Sequence, residues 1–292
     1  VYSFSSGSAE QLMMVGYFKF ITCDLNDDGC SELMVILPGE SETGTGSAVL
    51  YRMQDGNIER SVEVNVSEDA THIRRITVGR LLGGTPAVFV ASAVNNSAIV
   101  TDVFAWRNDR FSNISYSRDS DTSVQTLRNY YVYAEDIDGD GVMELPSLIT
   151  MKRVFPEQEG KQKFLIRWFA MDLEGREMDK FFTFHNYLGG WYMQLASSWA
   201  PRVSVEQEGG RYTFYVWDED YREASDVFSI YVLTGGSREE DATVDGRFAF
   251  YRAEGVVYAA KLEANAAQFG ITENQLINNF HLIQQDWKTG ET

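Results

Sequence analysis

The chain has 292 residues, 44% of them hydrophobic, and carries 25 basic against 43 acidic side chains for a formal net charge of -18. That length supports two domains with real cores, and the acidity argues against a nucleic-acid partner, whose phosphates it would repel. No uninterrupted apolar run is long enough for a transmembrane helix, and Val1-Tyr2-Ser3 has none of the marks of a signal peptide, a segment that cleavage removes from a mature protein.

Along the chain, the first strong pattern is Asp24, Asn26, Asp28, Gly29 and Glu32, which reads D-x-N-x-D-G-x-x-E. Side chains one, three and five of such a loop can wrap a hard cation, the glycine permits the sharp turn, the backbone carbonyl of Cys30 offers a further oxygen, and Glu32 closes the shell. Oxygen ligands of this kind suit calcium. Val35 stands where an EF-hand would need its bidentate glutamate, and Leu33-Met34-Val35-Ile36 continues as a strand, so the loop joins strands and not helices. Cys23 and Cys30 flank and enter it, which leaves open a disulfide or two free thiols. A second hairpin follows, with Val49-Leu50-Tyr51-Arg52 turning at Asp55-Gly56.

The same scheme returns without its oxygens. Ile76-Thr77-Val78 and Val88-Phe89-Val90 frame a turn at Gly83-Gly84, but Gly79, Leu81 and Ala87 stand at ligand positions, so this copy keeps the turn and loses the metal. A hairpin turning near Asn108-Asp109 comes next. The full pattern then recurs as Asp136, Asp138, Asp140, Gly141 and Glu144, with Val142 supplying the carbonyl and Ser147 at the EF-hand glutamate position, followed by a hairpin turning near Glu174-Gly175. The copies start at 24, 79 and 136, a period of 55 to 57 residues. Two hairpins per period make a four-stranded unit, the pattern of a β-propeller blade. Residues 1–10 align with residues 50–59 at Tyr2, Gly7 and Glu10, so the chain is expected to begin halfway through a blade, with further blades upstream in a longer parent protein.

Paired acidic loops inside strand-loop-strand repeats resemble the FG-GAP or VCBS repeat family, known from integrin alpha-subunit propellers and bacterial surface proteins. More closely, the chain is similar to VCBS-repeat lipoproteins of Gram-positive bacteria. The resemblance covers residues 1–185. It implies a half blade over 1–20, repeats near 21–75, 76–130 and 131–185, and two structural calcium sites, one at Asp24, Asn26, Asp28, Cys30 and Glu32, the other at Asp136, Asp138, Asp140, Val142 and Glu144.

Past residue 185 the acidic period stops. Strands are predicted at 191–195, 203–206, 212–217, 228–233, 248–251 and 256–259, with turns at Glu208-Gly209-Gly210 and Ala253-Glu254-Gly255. Thr272 and Gln275 form a capping box ahead of Leu276, Phe280, Ile283 and Trp287 on one helical face. Residues 186–292 therefore read as a smaller α+β domain, an antiparallel sheet with a C-terminal helix. The expected fold class is mainly β: a partial propeller of four-stranded blades with calcium loops, then this domain.

Catalytic signatures are lacking. His72, His185 and His281 stand apart in sequence, with His281 expected on the surface of the last helix, and there is no H-E-x-x-H, G-x-S-x-G or C-x-x-C. Gly44-Thr45-Gly46-Ser47 lacks the lysine of a phosphate-binding loop and reads as a hairpin turn, and Asp218-Glu219-Asp220 as a solvated turn. The expectation is a non-enzymatic, extracellular, calcium-rigidified binding or scaffold module of a bacterial surface protein, lipid-anchored in the parent or secreted, with a carbohydrate or protein partner. The alternative is a cell-wall or glycan hydrolase with paired carboxylates between the domains.

Overall fold

The computed structural model describes residues 1–4, 7–39, 45–68, 70–94, 98–157 and 162–283. Strands hold 53% of the described residues and helices 8%, and the strands form five antiparallel sheets. The mainly β expectation is met, and among the described residues no sheet closes on itself. Among the described residues no helix is long and apolar enough to cross a membrane.

The chain divides into two compact units. One gathers Val1–Ser147 and Phe169–Asp179, and the other holds Leu148–Trp168 and the described residues from Lys180 to Ile283. In the first unit, β1 (Tyr2–Ser3) and β2 (Glu10–Gln11) make a small hairpin. The next sheet runs in chain order through β3 (Lys19–Cys23), β4 (Glu32–Pro38), β5 (Thr45–Gln54) and β6 (Asn57–Asn65). Its β5–β6 turn sits at Asp55-Gly56, where both residues take the positive φ of a type I′ hairpin (52° and 79°). A second four-stranded sheet repeats the plan with β7 (Ala70–Arg80), β8 (Pro86–Val94), β9 (Ala98–Arg107) and β10 (Arg110–Asn113), its last hairpin turning on Asn108 and Asp109 at φ 50° and 58°.

These two sheets pack face to face. Met34, Ile36 and Leu50 of one meet Val88, Val90 and Phe104 of the other. The opposite face of the second sheet, with Phe89, Val103 and Ala105, packs on Leu145, Phe169 and Met171. Apolar contact on both faces explains β8. A strand covered on one side alternates apolar and polar residues, whereas Pro-Ala-Val-Phe-Val-Ala-Ser-Ala-Val is apolar nearly throughout and buried over its first eight residues. β6, at the outer edge of its sheet, is exposed along most of its length and half-buried only at Ile58, Ser61 and Val64.

A third sheet starts with β11 (Glu144–Thr150), β12 (Phe164–Met171), β13 (Glu177–Asn186) and β14 (Trp191–Leu195), and its residues divide between the two units. No strand forms ahead of the second acidic loop. Glu135 and Glu144 make an isolated bridge instead, so this repeat lacks the inner strand that its copies have.

In the second unit, a five-stranded sheet has the order β15 (Val203–Glu208), β16 (Arg211–Trp217), β17 (Ala224–Thr234), β19 (Val256–Leu262), β18 (Phe248–Ala253). A one-turn helix α1 (Arg238–Asp241) follows β17 in sequence. Helix α2 (Glu273–Asn279) opens on the expected capping box, in which Thr272 Oγ1 accepts from Gln275 N and Gln275 Oε1 accepts from Thr272 N. The helix then ends earlier than its apolar spacing suggests. Phe280–Leu282 becomes β20, pairing with β14 at the edge of the third sheet, and His281 lies across from Tyr192 on that strand. Trp287, expected on the same helical face, and Gly44 of the Gly44-Thr45-Gly46-Ser47 turn lie outside the described residues. Asp218 caps an exposed turn as expected, its carboxylate accepting from Arg222 N at 2.7 Å.

Candidate metal centre

Both acidic loops connect a strand or bridge to the strand that Glu32 or Glu144 begins, and their internal hydrogen bonds match position by position. Asp24 Oδ2 accepts from Gly29 N at 2.8 Å, and Asp136 Oδ2 from Gly141 N at 2.9 Å. Asn26 Oδ1 accepts from Asp28 N at 3.0 Å, and Asp138 Oδ1 from Asp140 N at 3.2 Å. Asp28 Oδ1 accepts from Cys30 N at 2.8 Å, and Asp140 Oδ1 from Val142 N at 2.9 Å. Glu32 Oε2 accepts from Leu25 N at 2.8 Å, and Glu144 Oε2 from Ile137 N at 3.2 Å. Each short acidic side chain bonds a backbone N–H a few residues on, which bends the chain into a ring with its carboxylates turned inward. Gly29 and Gly141 sit at φ 86° and 85°, a region that glycine enters without a Cβ penalty.

The loops differ in how far their carboxylates converge. In the second, oxygens of Asp136, Asp138 and Glu144 all lie within 4.8 Å of one another. Two oxygens bound to one calcium at about 2.3–2.6 Å can be at most about twice that distance apart, so this spacing fits a single ion. Asp136 Oδ1 is buried and has no hydrogen-bond partner, an expensive arrangement for a carboxylate oxygen that lacks a cation. The residues therefore fit one hard cation, with Asp140 and Val142 beside them in the loop. In the first loop Asp24, Asp28 and Glu32 do not reach the same mutual approach among the described residues, and Asn26 spends its amide on Asp28 Oδ2 at 2.9 Å.

Electrostatics in the first loop point the same way. Glu32 is buried and its pKa is raised, first by burial and then by Asp28 and Asp24 nearby. Asp28 is exposed and its pKa is lowered, chiefly by the Cys30 N–H and then by Asn26. A divalent ion would favour the ionised form of Glu32 and relieve the carboxylate repulsion. Cys23 and Cys30 are free thiols. Burial, then Glu32 and Asp24, push the Cys23 thiol up to about 11 from 9.0, whereas Cys30 is exposed. Because thiolate is the reactive form, iodoacetamide at pH 8 should alkylate Cys30 while Cys23 reacts about a hundredfold more slowly. Mass-spectrometric labelling rates check this, and equal rates would refute the buried setting of Cys23.

The chain matches no protein-family model and no curated relative.

The degenerate copy explains itself by packing. A Cβ on Gly79 would come within 2.1 Å of Met143 Cγ, so the position equivalent to Asp24 and Asp136 has no room for a side chain. Leu81 and Ala87, at the positions of Asn26 and Glu32, are fully buried against Met143, Leu145 and Met171. Backbone bonds complete the join: Met143 N donates to Arg80 O and Leu82 N to Met171 O, both at 2.9 Å. On its other side Arg80 reaches Asp27 of the first loop at 3.4 Å. Sequence reading named the acidic side chains of both loops and missed Arg80 and Met143, whose roles lie in the contact of one loop with the next. It also missed a buried polar cluster around Asp102 and a ring ladder of His185, Tyr192 and His281, both outside the repeated motif.

Proposed function

We propose that this chain is a calcium-stabilised, non-enzymatic binding or scaffold module of a bacterial cell-surface protein, built from FG-GAP/VCBS-like repeats in a propeller-like arrangement. The observation that carries the reading is the matched hydrogen bonding of the two acidic loops, with the carboxylates of the second drawn close enough to share one ion. The face-to-face stacking of successive four-stranded sheets, each with its loop beside the next, supports the propeller-like part. Asp24, Asn26, Asp28, Glu32 and the Cys30 carbonyl would hold one calcium. Asp136, Asp138, Asp140, Glu144 and the Val142 carbonyl would hold the other.

Bound calcium supplies positive charge at loops that otherwise crowd carboxylates together, and its role here is to rigidify. Loops of this kind outside the EF-hand class suit the millimolar calcium found outside cells, which is the ground for surface placement. Calorimetric titration after chelation should find two calcium sites, the second loop binding more tightly because it offers one more carboxylate. Asp138→Ala removes an exposed ligand and should weaken that site at least about tenfold while leaving the first unchanged. Calcium at about 100 times its dissociation constant should add about 2.7 kcal/mol per site to stability. No calcium-dependent shift in melting, or two unaltered sites in Asp138→Ala, would refute the assignment.

A further inference from the structure

The second unit contains a cavity of about 180 Å³ between β14, the turn after it, and the segment leading into α2. Its size falls below the roughly 300–1,000 Å³ of sites for drug-sized ligands and equals about six waters' worth of space. It admits one ring-sized group. None of its lining residues is charged, in a chain where 23% of residues are, so an ionic ligand would find no counter-charge there.

What the wall does offer is neutral and directional. Gln194, Ser198, Gln275 and Asn279 line the cavity, and each side chain can both donate and accept. Among the described residues the side chains of Gln194, Ser198 and Asn279 make no hydrogen bond within the chain. Gln275 is held in place by its capping box, which uses its Oε1 on Thr272 and leaves the Nε2 donors over. Trp199 and Phe269 add aromatic surface. Amides that can both give and take hydrogen bonds, set beside aromatic rings in a wall without charged side chains, match a group with several neighbouring hydroxyls and an apolar C–H face.

We infer that this cavity binds a single neutral sugar residue, with Gln194, Ser198, Gln275 and Asn279 bonding its hydroxyls and Trp199 and Phe269 against its ring. This rests on the reading of the chain as a binding module and names the ligand class and the place. It does not depend on the calcium loops, which belong to the other unit.

The test is a binding titration of the full chain, by ligand-observed NMR and calorimetry, against methyl glycosides of glucose, galactose and mannose and against N-acetylglucosamine, with and without chelator. At least one neutral sugar should bind, and Gln194→Ala and Asn279→Ala should each weaken it roughly three- to tenfold with unchanged melting temperature. Trp199→Ala serves only as a folding-sensitive control, since Trp199 is largely buried. Absence of binding by every neutral sugar, or binding untouched by both amide variants, overturns the inference. Sugar binding that survives chelation alongside absent calcium sites would sink the metal reading alone, and two calcium sites with no sugar bound would sink this one alone.

Discussion

Replacing Asp102 with alanine is expected to destabilise the first unit by about 3–5 kcal/mol. Asp102 stands in the middle of β9, fully buried, where a carboxylate survives only with its oxygens satisfied. Four donors do so: Ser67 N at 3.0 Å, Ser67 Oγ at 2.8 Å, Ser123 Oγ at 2.6 Å and Asn113 Nδ2 at 2.9 Å. Ser67 lies in the β6–β7 connection, Asn113 ends β10, and Ser123 belongs to the long segment after β10. One side chain thus ties the link between two sheets to the segment leading towards the third. Alanine leaves these donors buried without their acceptor, at about 1–3 kcal/mol for each that stays unsatisfied, with some relief as hydroxyls turn to other partners. Asp102→Asn keeps the shape and one acceptor and should cost about half as much. Urea denaturation reads both, and in a thermal melt the alanine variant should unfold roughly 10 °C lower. A loss under about 1 kcal/mol for alanine would show the cluster to be dispensable.

The acidic loops were legible because their chemistry is local. Asp24 to Glu32 and Asp136 to Glu144 close within nine residues through side chains that bond their own backbone, so spacing alone reveals the ring. The strands of residues 191–259 were legible for a similar reason, since β15 to β19 carry their apolar and aromatic pattern along with turn glycines such as Gly209 and Gly255. The end of α2 was not. Leu276, Phe280 and Ile283 keep helical spacing, yet Phe280 packs among Trp191, Phe250, Tyr251 and Tyr258, and pairing with β14 satisfies the backbone there as a strand. Tertiary aromatic burial outweighs a few tenths of a kcal/mol per residue of helical preference.

The degenerate loop has its cause in the repeat that follows it. Met143 lies within the second acidic loop, and its side chain occupies the space that a Cβ on Gly79 would need. The repeat before it therefore gives up its first ligand to make that contact. A metal-free loop in mid-array is thus a packing solution, and the sequence records it only as Gly79, Leu81 and Ala87 without the reason.

Acid should destabilise the second unit through His185, by about 2.7 kcal/mol between pH 7 and pH 4.5. His185 lies on β13 with its ring stacked on Tyr192 of β14 at 4.9 Å, and Tyr192 stacks in turn on His281 of β20 at 4.9 Å, a ladder across three strands. Burial pushes the pKa of His185 down to about 3 from 6.5. The folded state thus keeps the ring neutral while the unfolded chain takes up a proton below pH 6.5. The unfolded state binds more protons throughout that window, so stability from this group is complete above pH 6.5 and falls as pH drops towards 3, by about 1.36 kcal/mol per unit. Burial lowers the pKa of His281 as well, which adds loss in the same direction. His185→Phe keeps an aromatic ring against Tyr192 and removes the titration. Urea denaturation of wild type and variant at pH 7 and pH 4.5 isolates the histidine, because every carboxylate contributes equally to both proteins. The variant should lose about 2.7 kcal/mol less than wild type over that interval, and equal losses would mean that His185 is solvated in the folded chain and that the ladder does not form.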